Sequence, residues 1–246
     1  MILAAGLGTR LRPLTERVPK PLLPVAGVPM LERVARRLVA AGADRLVINT
    51  HHLAGSVEDF VRDRDGFGVE VRLSHEPDEP LDTGGAVLHA AAAFRRDAPF
   101  FLHNADVLTD LDLEGLYRSH IEGGSDTDDG ALATLAVLDP SPERYLLFDE
   151  AGLFGLALRG GGERTAREPV GDVTRFGFAG VHVIDPRLLD RFSERGAFSI
   201  FWTYLRLAAA GERIRAFHAK DARWIDIGTP ERMAEAERMA AELDQA

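Results

Sequence analysis

The chain has 246 residues, of which 46% are hydrophobic, so it can fill the core of one large α/β domain or two small ones and is too apolar for a disordered protein. It contains no cysteine, which excludes a disulfide framework and a thiolate metal site. Its net charge of −10 argues against a general nucleic-acid-binding protein, which needs a basic face.

The apolar segments are strand-sized and shorter than the roughly 20 residues that a membrane helix needs. A signal peptide carries basic residues before its apolar segment, and no basic residue precedes the first apolar segment here. We therefore expect a cytoplasmic protein that binds neither membranes nor nucleic acid.

The first half of the sequence alternates short apolar segments with segments of helical spacing. These patterns predict four strands and three helices: strands at Met1–Ala5, Arg45–Asn49, Val69–Leu73 and Pro99–His103, and helices at Leu31–Ala41, Ala54–Arg62 and Gly84–Phe94. Such alternation implies right-handed crossovers and a sheet covered on both faces. The predicted fold is a single-domain α/β, Rossmann-like three-layer sandwich with a mostly parallel mixed sheet. Ligands of such sheets bind beyond the carboxyl ends of the strands.

The second half has a more mixed pattern. It predicts strands and helices in about equal number: strands at Ala131–Leu138, Phe176–Ile184, Arg213–His218 and Ala222–Ile227, and helices at Pro186–Arg191, Ile200–Ala210 and Glu231–Leu243. Two stretches rich in glycine and polar residues, Gly123–Gly130 and Arg159–Asp172, are predicted to be mobile loops. The eight histidines have no metal-ligand spacing and are expected in loops and at the surface.

The N-terminal segment carries an excess of positive charge. Residues 1–37 contain seven basic and two acidic side chains, which suggests a site for a small polyanion in an otherwise acidic chain. Lys20 is one of only two lysines against 27 arginines, and it lies between Pro19 and Pro21. A compact ammonium that approaches one phosphate oxygen is a physical reason to keep lysine there.

A glycine-rich loop follows the first predicted strand, at residues 3–15 with the sequence LAAGLGTRLRPLT. Glycines at such a position let backbone N–H groups approach phosphate closely. Arg10 and Lys20 would hold a triphosphate and neutralise the charge that develops on a leaving pyrophosphate. Neither the dinucleotide fingerprint nor the phosphate-loop lysine spacing is present.

The loop, together with PKP at 19–21, closely resembles the signature of the sugar-1-phosphate nucleotidyltransferases. The resemblance continues through segments 80–85, 104–106, 178–182 and 224–230, which are similar to the family's base-binding loop, first metal segment, sugar-site strand and second metal segment. The sequence looks like the short form of this family, without a β-helix domain, and so resembles most the N-acetylmuramate-1-phosphate uridylyltransferase branch. The resemblance implies these site residues: Arg10 and Lys20 for catalysis; Ala5, Gly6, Gly8, Thr9, Glu76, Gly84 and Gly85 for the nucleotide; Asn104, Glu163 and Gly180 for the sugar; and Asp106 and Asp226 for Mg²⁺.

The chemistry of the two aspartates agrees with that assignment. Carboxylates are hard oxygen ligands suited to Mg²⁺, whose other positions phosphate oxygens and water can fill. The alternatives are that Asp106 caps a helix and that Asp226 is a turn residue before Gly228.

Glu76 lies eight residues before Gly84, near the position where relatives of the resembled family carry a base-reading glutamine. A carboxylate only accepts hydrogen bonds, so it could receive N3–H of uracil or N1–H of guanine, whereas cytosine N3 and adenine N1 carry no proton. The alternative is a surface carboxylate in an acidic turn.

The expected activity is Mg²⁺-dependent transfer of a nucleoside monophosphate from an NTP, with UTP favoured, to a sugar 1-phosphate. Residues 1–120 would bind the nucleotide and 121–246 the sugar, in a monomer or small homo-oligomer. No Glu-Lys-Pro segment precedes the sugar-site strand, so the sugar stays open. The alternatives are a guanylyltransferase for a mannose- or heptose-type phosphate, a cytidylyltransferase for phosphocholine, and a non-catalytic nucleotide-sugar sensor on the same fold.

Overall fold

A mixed central sheet with helices on both faces forms the body of the computed structural model, which describes residues 1–76, 78–123, 130–140, 145–158 and 160–245. The strands are β1 (Ile2–Leu3), β2 (Pro24–Val25), β3 (Val28–Pro29), β4 (Arg45–Thr50), β5 (Glu70–His75), β6 (Phe100–Asn104), β7 (Val107–Thr109), β8 (Ala133–Leu138), β9 (Leu146–Asp149), β10 (Gly152–Ala157), β11 (Glu163–Thr165), β12 (Thr174–Ile184), β13 (Ile214–His218) and β14 (Trp224–Asp226). The helices are α1 (Met30–Ala40), α2 (Ala54–Asp63), α3 (Asp82–His89), α4 (Leu113–Glu122), α5 (Ile200–Ala209) and α6 (Pro230–Leu243).

The main part of the sheet has the strand order β5-β4-β1-β6-β12-β8-β13. Its strands run parallel to one another except β12, which is antiparallel to both of its neighbours in this order, β6 and β8. The first half of β12 also pairs with β9, from which β10 and β11 continue as an antiparallel extension. The prediction of a mostly parallel mixed sheet is therefore confirmed.

Two hydrophobic clusters cover the two faces of the sheet. Helices α1, α2 and α4 pack on one face, where Leu31, Val57 and Leu116 meet the strand residue Ile48. Helices α3 and α5 pack on the other, where Val87 and Tyr204 join a separate cluster. This arrangement confirms the predicted three-layer sandwich. Among the described residues, no helix is long and apolar enough to cross a membrane.

Helix α6 brings the end of the chain back to the N-terminal segment. Its Ala236 and Ala240 are fully buried in a third cluster that also contains Leu11 of the glycine-rich loop and Ile225 of β14. This cluster holds the first and last motifs of the sequence side by side.

The structure also contains elements that the sequence patterns do not predict. No helix is predicted at α4, although Asp112 caps it and accepts a hydrogen bond from the Gly115 N–H. Strands β9 and β10 are unpredicted, and β11 lies inside a predicted mobile loop, because its backbone pairs with β10. The predicted helix at Gly84–Phe94 is displaced, since α3 spans Asp82–His89. Most of the other predicted loop, residues 124–129, lies outside the described residues.

The expectation that histidines lie in loops and at the surface is wrong for His103, His120 and His182. All three are on regular elements and are at most 4% exposed. His103 donates its Nδ1–H to the Asn104 carbonyl, and His182 is hydrogen-bonded to the Tyr204 hydroxyl. Burial lowers the pKa of His103 and His120 to about 4 and that of His182 to about 3.

These lowered pKa values predict that the protein loses stability in mild acid. Each histidine has an ordinary pKa near 6.5 in the unfolded chain, so below that pH the unfolded state binds protons that the native state does not. Unfolding free energy should fall as the pH drops from about 6.5 towards 4, with each histidine contributing up to about 1.4 kcal/mol per pH unit. In denaturant titrations at several pH values, the slope of unfolding free energy against pH should be shallower by about that amount in His182→Asn. An unchanged slope in this variant would contradict the assignment to His182.

Candidate functional site

A pocket of about 230 Å³ opens at the carboxyl ends of the central strands. Its walls come from the segments that directly follow β1, β5 and β6, from the end of β4, and from the start of α3. This is where the fold prediction places a ligand. Six of the predicted site residues line it: Ala5, Gly6, Lys20, Glu76, Asn104 and Asp106.

The glycine-rich loop bends sharply beside this pocket. Gly8 has a φ of 61°, and a Cβ at that position would lie 2.7 Å from the Thr15 methyl group, so both backbone shape and space require glycine. The Thr15 hydroxyl donates to the Gly8 carbonyl at 2.9 Å and fixes the bend. A Cβ on Gly6 would meet no atom within 4 Å, which leaves the backbone there open to a ligand. Thr9 and Arg10 follow in a short 3-10 helix and are exposed.

Lys20 and Asp106 form an ion pair in the wall of the pocket. The ammonium donates to Asp106 Oδ2, and the two side chains are 13% and 27% exposed. The alternative that Asp106 caps a helix is wrong, because it lies between β6 and β7. The predicted phosphate-binding lysine and the predicted metal ligand are thus in direct contact.

Asp226 lies next to Asp106 because β14 pairs with β7. Asp226 is opposite Val107 in this ladder, and the Ile227 N–H donates to the Asp106 carbonyl at 2.9 Å. Asp226 Oδ1 accepts from the Gly228 N–H at 2.9 Å, so the alternative role of a turn residue is confirmed for that oxygen. Its Oδ2 lies 3.0 Å from the Arg232 guanidinium.

Two arginines adjoin the Asp226 turn. A Cβ on Gly228 would lie 2.6 Å from Arg10 Nη2, so the Arg10 guanidinium packs directly on this glycine. Arg232, in the first turn of α6, lies over the Trp224 ring with its Cζ 5.3 Å from the ring centroid. Arg232 was not predicted as a site residue, because its contact with Asp226 depends on how α6 starts.

The donor set fits a hard divalent cation. The pairing of β7 with β14 brings the backbone of Asp106 and Asp226, two carboxylate residues from distant parts of the chain, to neighbouring positions. Within the described residues, no group of three or more His, Cys, Asp or Glu that could hold a metal ion is found. Carboxylate oxygens are hard ligands that suit Mg²⁺, which usually keeps several waters and shares its coordination with substrate phosphates.

Glu76 is 1% exposed, so the alternative that it is a surface carboxylate is wrong. Its Oε1 accepts from Asn49 Nδ2 at 2.7 Å, and its Oε2 accepts from the Leu81 N–H at 2.8 Å. Asn49 was not predicted as a site residue. The signal that could have found it is a polar amide at the carboxyl end of a predicted strand, directly after three apolar residues.

Gly84 and Gly85 lie outside the pocket lining and are buried in α3. Both N–H groups donate to the Phe198 carbonyl, at 2.9 and 3.2 Å, and a Cβ on either glycine would overlap the segment around Gly196 and Phe198. Close packing therefore accounts for the two glycines in this structure, and their contact with a nucleotide stays a prediction. Thr83, just before them, lines the pocket.

The predicted sugar-binding residues fall into two places. Gly180, in an irregularity of β12, has a φ of 79° and lies against the Asn104 side chain. Glu163 is on β11 at the far edge of the sheet extension, where it accepts hydrogen bonds from Tyr145 and Arg175. The structure therefore brings Asn104 and Gly180 together and leaves Glu163 apart from the pocket.

Comparison with known proteins gives concordant results. The model of the family described as "Nucleotidyl transferase" matches residues 1–148. The chain is 32% identical to an N-acetylmuramate alpha-1-phosphate uridylyltransferase of Neisseria meningitidis over 98% of its own length and 97% of that protein. It is 31% identical to a mannose-1-phosphate guanylyltransferase of Mycobacterium tuberculosis, over 94% of this chain but only 61% of that longer protein. The crystal structure of HddC from Yersinia pseudotuberculosis complexed with GMP-PN superposes with a TM-score of 0.73 at 25% identity and covers 97% of both chains.

The close contact between Gly180 and Asn104 predicts the effect of Gly180→Ala. A Cβ there would lie 2.9 Å from Val107 Cγ2 and 3.0 Å from Asn104 Nδ2, in addition to the cost of a positive φ. Gly211 is a matched control, because its φ of 85° is similar and no atom lies within 4 Å of its Cβ position. In denaturant titrations Gly180→Ala should lose roughly 1–3 kcal/mol more than Gly211→Ala; equal losses would show that Gly180 is not packed against Asn104.

Proposed function

The chain belongs to the nucleotidyl transferase family, and on that premise we propose that it transfers a nucleoside monophosphate from an NTP, with UTP preferred, to a sugar 1-phosphate. The observation that carries this proposal is the ion pair between Lys20 and Asp106. It lies in the wall of the pocket, next to the glycine-rich loop and to the turn that contains Asp226. That arrangement would offer one cation for phosphate and, from the paired segments β7 and β14, two carboxylates for a metal ion. The products would be an NDP-sugar and pyrophosphate.

The residues of the pocket would position two anions that repel each other. The base would enter the pocket near Glu76 and Thr83, and the triphosphate would follow the backbone from Ala5 to Thr9. An oxygen of the sugar phosphate would attack the α-phosphorus, and the bond from that phosphorus to the bridging oxygen of pyrophosphate would break. Lys20 and Arg10 would neutralise the charge that accumulates on the departing pyrophosphate. The sugar phosphate is already a nucleophile, so no covalent intermediate is needed.

Asp106 and Asp226 would hold Mg²⁺, which supplies positive charge to the reacting phosphate oxygens. In the structure each of these carboxylates is paired with a basic side chain, Asp106 with Lys20 and Asp226 with Arg232. Once Mg²⁺ occupies the carboxylates, these two basic groups would be released to bind phosphate.

The sugar would bind on the side of β12, within residues 121–246, while residues 1–120 hold the nucleotide. Asn104 and Gly180 are in contact at the boundary between these halves and would meet the sugar there. Glu163 would reach it only from the β11 side of the sheet extension. Of the named relatives, the uridylyltransferase of Neisseria meningitidis matches this chain over nearly its whole length, which supports a uridylyltransferase.

Of the two alternatives, the guanylyltransferase has support from the comparisons, and the non-catalytic sensor has an argument against it. A guanylyltransferase is favoured by the similarity to the mannose-1-phosphate enzyme and by the HddC structure with GMP-PN, and Glu76 could also accept from guanine N1–H. A non-catalytic sensor is disfavoured because Arg10, Lys20, Asp106 and Asp226 are all retained.

The preference for the base is tested by steady-state rates with a matrix of UTP, GTP, CTP and ATP against several sugar 1-phosphates, read by pyrophosphate release. UTP should give the highest kcat/KM, because uracil N3–H can donate to Glu76 and because the uridylyltransferase of Neisseria meningitidis matches this chain over nearly its whole length. A tenfold preference for GTP over UTP would instead establish the guanylyltransferase. Absence of turnover with every pair would support the sensor.

Removing one charge from either metal carboxylate should nearly abolish turnover. Asp106→Asn and Asp226→Asn should each lower kcat by roughly 100-fold or more, because the metal ion would be held weakly and the phosphates misplaced. Asp190→Asn is a matched control, since Asp190 is also ion-paired, to Arg96 at 3.0 Å, but lies outside the pocket lining. Circular dichroism would verify the fold. Full activity of either variant at ordinary Mg²⁺ would remove that residue from the metal site.

A further inference from the structure

The side chain of Asn49 connects two walls of the pocket. Its Oδ1 accepts from the Ala4 N–H at 2.7 Å, and its Nδ2 donates to Glu76 Oε1 at 2.7 Å. Asn49 is 3% exposed and lies opposite Leu3 in the β1–β4 ladder. One amide thus joins the first residues of the glycine-rich loop to the carboxylate that follows β5.

The contacts of Glu76 leave it able to accept a further hydrogen bond. Each carboxylate oxygen has one protein donor, Asn49 for Oε1 and the Leu81 N–H for Oε2, and each oxygen keeps acceptor capacity beyond that donor. No ion pair to Glu76 is found within the described residues. A buried carboxylate supported by neutral donors alone is costly, so an additional donor supplied by a ligand would be strongly favoured.

The same contacts explain the residue types at both positions. Glutamine at 76 would turn its own N–H₂ towards either Asn49 Nδ2 or the Leu81 N–H, so one donor would face another. Aspartate at 49 would bring a second carboxylate against Glu76. Of these combinations, the amide at 49 with the carboxylate at 76 satisfies every group, and this fixes the direction of each hydrogen bond.

We propose that Asn49 is a positioning residue for nucleotide selection: it fixes the Glu76 carboxylate as an acceptor for a base N–H and ties that carboxylate to the backbone of the phosphate-binding loop. Uracil and guanine carry such an N–H, whereas the corresponding nitrogens of cytosine and adenine do not. Because the link ends on Ala4, one residue before the loop's Ala5 and Gly6, base selection and phosphate placement depend on the same amide. This inference rests on the proposed function, in which Glu76 reads the base.

The test is calorimetric binding of UTP, GTP and CTP with Mg²⁺ and without sugar phosphate, so that no turnover is required. The wild-type protein should bind UTP or GTP at least tenfold more tightly than CTP. Asn49→Ala should weaken binding of all three nucleotides through the phosphate-binding loop, and it should weaken binding of the preferred nucleotide roughly tenfold more than that of CTP, so that the discrimination ratio falls. Asn49→Ser and Asn49→Asp are the further variants if the alanine variant does not fold, and each should lower the same ratio because each alters the hydrogen bond from position 49 to Glu76.

The control is Thr50→Val, because Thr50 is the next residue of β4, is 1% exposed and points to the opposite face of the sheet. It should lose stability without changing the discrimination ratio, which separates nucleotide selection from simple structural damage. A folded Asn49 variant with the wild-type ratio would overturn the proposal for Asn49. A wild-type protein that binds none of the nucleotides would instead overturn the proposed function.

Discussion

The short strand β1 is the constraint on which the site depends. It has only two residues, yet it pairs in parallel with β4 on one side and β6 on the other, so its register fixes both neighbours. Leu3 is opposite Asn49 in β4 and Asn104 in β6, and the chain then leaves the sheet as the glycine-rich loop. The loop, the base-side amide and the first metal segment are therefore aligned by one set of backbone hydrogen bonds. Ile2 is fully buried at this point, which ties the alignment to the packing of the core.

Basic side chains and carboxylates lie side by side in the site of this acidic protein. The chain has a net charge of −10, but the pocket wall carries Lys20, and Arg10 and Arg232 lie at the adjoining Asp226 turn. The cluster that includes Leu11, Ile225 and α6 holds this turn against the glycine-rich loop. Charges from the first and last parts of the sequence are thus brought together by apolar packing rather than by their own attraction, which water and salt would screen.

Much of this arrangement follows from sequence because it depends on regular patterns. Alternating strands and helices predict a parallel sheet, and parallel strands place the Gly6–Gly8 loop and Asp106 at the same edge. The unpredicted parts depend on contacts between residues far apart in the chain. Asn49 reaches Ala4 and Glu76, and the burial of Glu76 is hidden by its polar neighbours in the sequence. The edge strand β11 has three exposed residues, so no alternation of apolar and polar side chains marks it.

On the proposed function, the pocket at the ends of β1, β4 and β6 binds the nucleotide. A crystal structure of the protein with UTP and Mg²⁺, in the absence of sugar phosphate, tests it most directly. The account predicts a uracil N3–H within hydrogen-bonding distance of Glu76, phosphates along Gly6–Thr9 in reach of Lys20, and a metal ion on Asp106 and Asp226. A nucleotide bound elsewhere, for example in the groove beside Arg164 and Trp202, with this pocket empty, would contradict it.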